Sequence, residues 1–173
     1  MIEAKGNIFD VKADLICVTT NGVVINGSLV MGKGLALEFK KRWPWLPKTL
    51  AMMIATRGNY PVIVTHNPQL EELKPFIASF PTKNHWRDNS ELALIERSAR
   101  VLVKLVDGFE EHQNRLDTAR ATYGIKKPVP LKKRTITRIA LTRPGCGLGN
   151  LDWERQVKPR IEDILDDRFI VLG

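Results

Sequence analysis

The chain has 173 residues, a formal charge of +8 at neutral pH and two cysteines. That length suits one domain able to bury a sizeable core, two cysteines without C-x-x-C spacing exclude a disulfide framework and a structural zinc, and no run reaches the ~18 apolar residues of a membrane span. With no apolar signal region after Met1 a reducing, cytoplasmic compartment is expected, and the positive balance favours polyanionic partners, whether specific or merely adhesive.

In chain order, Gly6 to Phe9 opens a short element, and 15–20 is a continuous apolar and β-branched run that reads as a strand buried on both faces. Gly32, Lys33 and Gly34 lead into a helix ending at Trp43, with Leu35, Ala36, Phe39 and Trp43 as its apolar side. Pro44 and Pro47 break that pattern, and a second helix over 48–57 ends at Gly58-Asn59. Strands over 61–65 and 76–80, separated by a polar turn around Asn67-Pro68, suggest a hairpin within an otherwise parallel sheet. Leu92, Ile95, Ala99, Leu102 and Val106 then share one helix face, with Asn89 or Ser90 available as the N-cap.

The stretch 107–134 reads as an insertion with some helix over 110–121. Its basic run, Lys126, Lys127, Lys132, Lys133 and Arg134, is either a solvated loop or a nucleic-acid contact. A strand over 136–141, a glycine-rich turn over 143–150, a helix capped by Asp152 and a closing strand over 169–172 complete the chain. Strands and helices alternate without repeats or a linker, which predicts one three-layer α/β domain spanning 1–173.

Ligands of such sheets collect where loops leave the carboxyl ends of the strands. Three loops, 21–34, 81–88 and 144–150, follow predicted strands and have the composition for it. At Gly32-Lys33-Gly34 the turn directs the free N–H groups of a helix start outward, which suits a phosphate, although the same pattern also opens ordinary surface helices. Gly27, Gly32 and Lys33 match most of a P-loop, but Gly34 stands where the magnesium-binding hydroxyl must be, so nucleotide hydrolysis has little support. The two glycine loops can grip a diphosphate from both sides, because only small residues permit that approach.

Gly6-Asn7-Ile8, then Asn21, then 31–40 beginning Met31-Gly32-Lys33-Gly34, then 80–87 with Thr82-Lys83-Asn84-His85-Trp86-Arg87, then 145–153 beginning Gly145-Cys146-Gly147-Leu148-Gly149-Asn150, together resemble the macro domain family. Within it, the residues are similar to the branch of DNA ADP-ribosyl glycohydrolase antitoxins (DarG) and the terminal ADP-ribose protein glycohydrolase. The resemblance covers nearly the whole chain except about 107–134. It implies a three-layer α/β/α macro domain with a central mixed, mostly parallel six-stranded sheet, binding ADP-ribose across its top without cofactor or metal.

On that resemblance Gly32, Lys33 and Gly34, with Met31 before them, lie by the distal ribose and diphosphate, Asn21 by that ribose, and Gly145, Cys146, Gly147, Leu148, Gly149 and Asn150 across the diphosphate. Asn7 and Ile8 lie by the adenine, where many macro domains carry an aspartate; the Asn7 carbonyl can still accept from the adenine amino group. Lys83 is the expected catalytic residue, its amine attacking or stabilising C1″ of the opened ribose once desolvation or nearby Lys33 has made it partly neutral. Thr82, His85, Trp86 and Arg87 are expected around the substrate, with His85 either a proton shuttle, a base contact or a structural residue.

One departure stands out. The protein-directed relatives carry an acid immediately after Gly-Cys-Gly-Leu, and here that position is Gly149. Three readings therefore stay open: a hydrolase removing ADP-ribose from nucleic acid, chiefly DNA; a noncatalytic ADP-ribose-binding module; and a nucleic-acid-binding protein indifferent to ADP-ribose. Hydrolases acting on ADP-ribosylated protein or on ADP-ribose 1″-phosphate are variants of the first. The expected partners are ADP-ribose or ADP-ribosylated nucleic acid and a cognate ADP-ribosyltransferase, with the domain itself monomeric.

Overall fold

The structure, a computed structural model, describes residues 1–124 and 135–173. The basic run from Lys126 to Arg134 lies outside the described residues. Six of the described strands form one sheet, in the order β1 (Ile2–Ala4), β8 (Phe169–Leu172), β7 (Ile139–Thr142), β2 (Leu15–Thr20), β6 (Glu72–Pro81) and β5 (Ile63–His66). All neighbouring pairs are parallel except β5 with β6, so the sheet is mixed and mostly parallel, and the 61–80 hairpin is present.

The continuous apolar run of β2 follows from its place at the centre. Successive side chains of a strand face opposite sides. Leu15 and Cys17 accordingly enter one core with Phe76, Ala78 and Phe80 of β6 and Ile139 and Leu141 of β7, while Ile16 and Val18 enter the other. The first core is covered by α3 (Leu92–Asp107), through Ile95, Ala99, Leu102 and Val106, and by Val157 and Ile161 near the C-terminus. Phe39 of α1 (Gly34–Arg42) and Leu46, Leu50 and Ile54 of α2 (Leu46–Arg57) cover the second. Each fully buried side chain of this kind contributes roughly 1.5–3 kcal/mol.

Several elements differ from their sequence reading. β1 was not expected: its three residues are exposed, and parallel pairing with β8 makes them a strand. A small hairpin of β3 (Val24–Ile25) and β4 (Ser28–Leu29) lies within the 21–34 loop, turned by Asn26-Gly27, both at positive φ as a tight hairpin turn demands. Pro47 does not break a helix but sits in the first turn of α2, where its missing N–H costs nothing. Neither Asn89 nor Ser90 caps α3; Glu91 holds that position, and the Ser90 N–H donates instead to the Gly149 carbonyl at 3.0 Å.

The helix expected over 110–121 is longer, α4 (Phe109–Tyr123), closed by Gly124 in the left-handed region. Asp152 does cap its helix, accepting from the Arg155 N–H at 2.7 Å. The turn it opens, Trp153–Val157, is π-helical before α5 (Lys158–Ile161) begins. Among the described residues no helix is long and apolar enough to cross a membrane.

Candidate active site

Because β2, β6, β7 and β8 are parallel, their carboxyl ends share one edge of the sheet, and there a cleft of about 1200 Å³ opens. Thr19 and Thr20 of β2, Thr82 and Lys83 after β6, Thr142 and Arg143 at the end of β7, and Leu172 and Gly173 at the end of β8 all line it. The volume lies just above the roughly 300–1,000 Å³ typical of small-molecule sites.

One side is the segment that feeds α1. Asn21, 8% exposed, donates its amide to the Val30 carbonyl at 2.8 Å and accepts from the Val23 N–H at 2.9 Å, so both ends of its side chain close the β3–β4 excursion. That fixes Gly32, Lys33 and Gly34 at the cleft wall. Lys33 is the N-cap of α1 but makes no side-chain cap, and the first turn holds no acid, so its leading N–H groups keep their affinity for an anion.

The facing side is the 145–149 loop. Gly145 has φ +79, and a Cβ there would come within 2.8 Å of Ile95 Cδ1. A Cβ on Gly149 would overlap the Ser90 hydroxyl and the Gly145 carbonyl oxygen. Position 149 is therefore closed to a side chain by Ser90 and the Gly145 carbonyl around it. Across the gap, the Leu148 side chain reaches toward Gly34, so the two loops meet above the cleft floor.

Between them stands the arch 82–90. The Thr82 N–H donates to the Thr20 carbonyl at 3.0 Å, its carbonyl accepts from the Glu91 N–H at 2.9 Å, and the Ser98 hydroxyl donates to the Pro81 carbonyl at 2.8 Å. Lys83 crosses the arch: Nζ donates to the Asp88 carbonyl at 2.6 Å and to the Leu148 carbonyl at 3.2 Å. Those two carbonyls hold the tip of the side chain at the cleft wall. Trp86, 39% exposed, carries the His85 ring at 5.4 Å on centroids and the Arg87 guanidinium at 4.6 Å, a rim suited to a flat, electron-rich partner.

Of the residues singled out in the sequence, Asn21, Gly32, Lys33, Gly34, Thr82, Lys83, Trp86, Arg87, Gly145, Cys146, Gly147, Leu148 and Gly149 share this one cleft. Five others lie outside its wall. Met31 and Ile8 are buried in the core beneath α1, and Asn7 spends its carbonyl on the Phe9 N–H at 3.0 Å. The His85 Nδ1 accepts from the Arg87 N–H at 3.2 Å, and Asn150 donates to Asn89 at 2.7 Å.

Sequence reasoning missed Ser90, Arg143 and Trp153, which do line the cleft. Trp153 and Arg143 are held from behind by Glu3, which accepts from the indole at 2.9 Å and the guanidinium at 3.2 Å, and whose other oxygen takes Lys158 at 2.6 Å. The Lys158 ammonium, then the indole, hold the Glu3 carboxyl below its ordinary range. Burial pushes the Cys146 thiol up to about 11, which keeps it protonated and unsuited to nucleophilic attack at neutral pH. Among the described residues no group of three or more His, Cys, Asp or Glu is placed to hold a metal.

No family model matches the chain. It is 31% identical over 148 residues to the DNA ADP-ribosyl glycohydrolase of Mycobacterium tuberculosis, a match covering 83% of this chain and 34% of that protein, so the chain spans about a third of the relative's length. The macrodomain of Mycobacterium tuberculosis DarG superposes with a TM-score of 0.64 at 26% identity, over 99% of this chain and 96% of that one. Thermosipho africanus DarTG in complex with ADP-ribose superposes with a TM-score of 0.65 over 98% of this chain and 40% of that one, but at 22% identity that likeness is one of fold alone. Sheet order, flanking layers and relatives agree: the chain is a macro domain, similar to those of the DarG proteins.

Proposed function

We propose that this macro domain binds ADP-ribose in the cleft and removes it from a nucleic acid base, with DNA as the substrate and Lys83 as the reacting residue. The observation that carries the reading is the Lys83 amine, tied to the Asp88 and Leu148 carbonyls at the wall of a cleft that two glycine-containing loops flank. Glycines in the two loops let a diphosphate approach their backbone, and the N-terminus of α1, which has no side-chain cap, offers it N–H donors. The mycobacterial relative is named for this activity on DNA, which supports the choice of substrate. A cognate ADP-ribosyltransferase that writes the modification is the partner this reading implies, and a monomer suffices for the chemistry.

In the mechanism, the furanose C1″–O4″ bond opens as O4″ takes a proton and the base nitrogen shares its lone pair with C1″, and the Lys83 amine then adds to that carbon. The bond from C1″ to the base breaks, its electron pair leaves with the base, and the base takes the proton given up by the amine. Water then adds to the iminium carbon and expels the lysine, which leaves ADP-ribose and restores the amine.

A DNA oligonucleotide carrying one ADP-ribose, incubated with wild type and with Lys83→Ala, tests this. Wild type is expected to release ADP-ribose, and the variant to be slower by roughly 10²–10⁴-fold, the range for losing a group that acts in the reaction. Equal release by both removes Lys83 from the mechanism, and parallel ADP-ribosylated RNA and protein substrates test the choice of DNA. The closure of position 149 favours a second reading, a module that binds ADP-ribose without turnover. It predicts calorimetric binding of ADP-ribose and an unchanged oligonucleotide with either protein.

A further inference from the structure

We infer that Asn59 is a positioning residue for Lys83. The inference rests on the reading of Lys83 as the reacting amine. Asn59 lies outside the cleft wall, directly after the glycine that ends α2. Its amide nitrogen nevertheless donates to the Lys83 carbonyl at 3.1 Å and to Asn84 Oδ1 at 3.0 Å. Both amide hydrogens are thus committed to consecutive residues of the arch.

The amide oxygen, by contrast, is buried with no partner among the described residues. Burying an acceptor without a donor is destabilising, so an aliphatic side chain would serve packing better. What only the amide provides is the pair of bonds to Lys83 and Asn84. Its own backbone is held as well: the Arg97 guanidinium of α3 donates to the Asn59 carbonyl at 3.1 Å and lies 4.4 Å over the Tyr60 ring.

From the other side, the Gly22 N–H donates to the Asn84 carbonyl at 3.0 Å. A Cβ on Gly22 would stand 3.0 Å from the Asn59 amide and 3.2 Å from that carbonyl. The backbone of Lys83 and Asn84 is therefore held between Asn59 and the segment just after β2. At the far end of the side chain Nζ docks on Asp88 and Leu148. A lysine has four rotatable bonds; with its backbone and its tip both fixed, few of their combinations remain, and the amine meets C1″ in a set geometry. Loosening the backbone end leaves the ADP-ribose contacts intact while misplacing the reacting atom, and a misplacement of about 1 Å costs about 10²-fold in rate.

The test measures steady-state release of ADP-ribose from ADP-ribosylated DNA, calorimetric binding of free ADP-ribose, thermal melting, and cyanoborohydride trapping of the lysine adduct. The proteins are wild type, Lys83→Ala, Asn59→Ala, the near-isosteric Asn59→Asp, which removes both donors, and Gly22→Ala, which crowds the same clamp while keeping the amide. Both Asn59 variants are expected to lose about 10- to 100-fold in kcat per folded molecule. Their trapped adduct should fall in proportion, with KM and the ADP-ribose Kd within about twofold of wild type. Gly22→Ala is expected to fall in the same direction by less.

A merely structural role lowers the melting point and leaves kcat per folded molecule and adduct yield unchanged, which overturns the inference; so does a loss of ADP-ribose binding in step with kcat. If neither Asn59 variant folds, a wild-type kcat in Gly22→Ala sinks it. A wild type that releases nothing, or Lys83→Ala equal to wild type, refutes the reading of Lys83 and takes Asn59 with it. A dead Lys83→Ala beside normal Asn59 variants refutes Asn59 alone.

Discussion

The 145–149 loop and the 82–90 arch meet at the cleft wall, joined by the Lys83–Leu148 and Ser90–Gly149 hydrogen bonds, and are built by opposite means. The loop takes its shape from side chains that are missing: at Gly145 and Gly149 the neighbours Ile95, Ser90 and the loop's own carbonyl already fill the space a Cβ needs. The arch takes its shape from side chains that are present, Asn59, Ser98 and Lys83 itself, each bonded to a backbone carbonyl. The loop should therefore fail when atoms are added and the arch when donors are removed.

The largest effect is expected at Gly149→Ala. Its methyl overlaps backbone as well as Ser90, and overpacking against atoms that cannot rotate away costs about 3 kcal/mol. Chemical denaturation reads that loss, and calorimetry should show ADP-ribose affinity falling by more than tenfold, the equivalent of roughly 1.4 kcal/mol. Adding Ser90→Gly should rescue only part of it, since the Gly145 carbonyl remains; full rescue would place the constraint in the serine and not in the backbone.

Removal of a donor from the arch is next. Ser98 is fully buried, and Ser98→Ala leaves the Pro81 carbonyl without its donor, a loss of about 1–3 kcal/mol on denaturation. Turnover should fall more than ADP-ribose affinity, because Pro81 leads directly into Thr82 and Lys83.

Glu3→Gln probes the support behind Arg143 and Trp153 and should cost less than about 1 kcal/mol, as expected for a largely solvated ion pair. Its sign with pH is fixed. The Glu3 carboxyl has a lowered folded pKa, so its contribution is present above the ordinary value of 4.5 and disappears as pH falls through the folded value. Wild-type melting temperature should drop across that acid range more steeply than that of Glu3→Gln, and added salt should shrink the difference.

The smallest effect is expected at Cys146. Its thiol, raised to about 11, should alkylate slowly at neutral pH, and Cys146→Ser should leave kcat within about threefold of wild type. Rapid alkylation at neutral pH would mean that the loop opens far more than its packing implies.

The parts of the fold that were legible are those whose residues state their own environment. β2, β7 and β8 announce themselves as short apolar runs, and α3 through the spacing of Ile95, Ala99, Leu102 and Val106. β1 has no such signal, since its three exposed residues are strand only by pairing with β8. The start of β6 was hidden for a related reason: Glu72 and Lys74 are polar around a single apolar Leu73, and Glu72 is strand through pairing with His66 of the antiparallel partner β5. The β3–β4 hairpin was legible and overlooked, because Asn26-Gly27 is a strong turn signal.

In the cleft, the glycines could be picked out by residue type and spacing, and Lys83 through the resemblance of its motif to the macro domain family. Asn59, Ser90 and Ser98 could not. Each acts on the backbone of a segment distant in sequence, and nothing in a local window distinguishes such a residue from a helix terminator or a cap.

The crowding around position 149 bears on any attempt to build a new side chain into this part of the cleft. Randomising that codon alone should return only the parental residue, because every alternative is rejected before chemistry is tested. Installing a carboxylate there calls for grafting the whole 145–151 segment together with a compatible residue 90, and a library built on that block would explore sequences that point mutation never reaches.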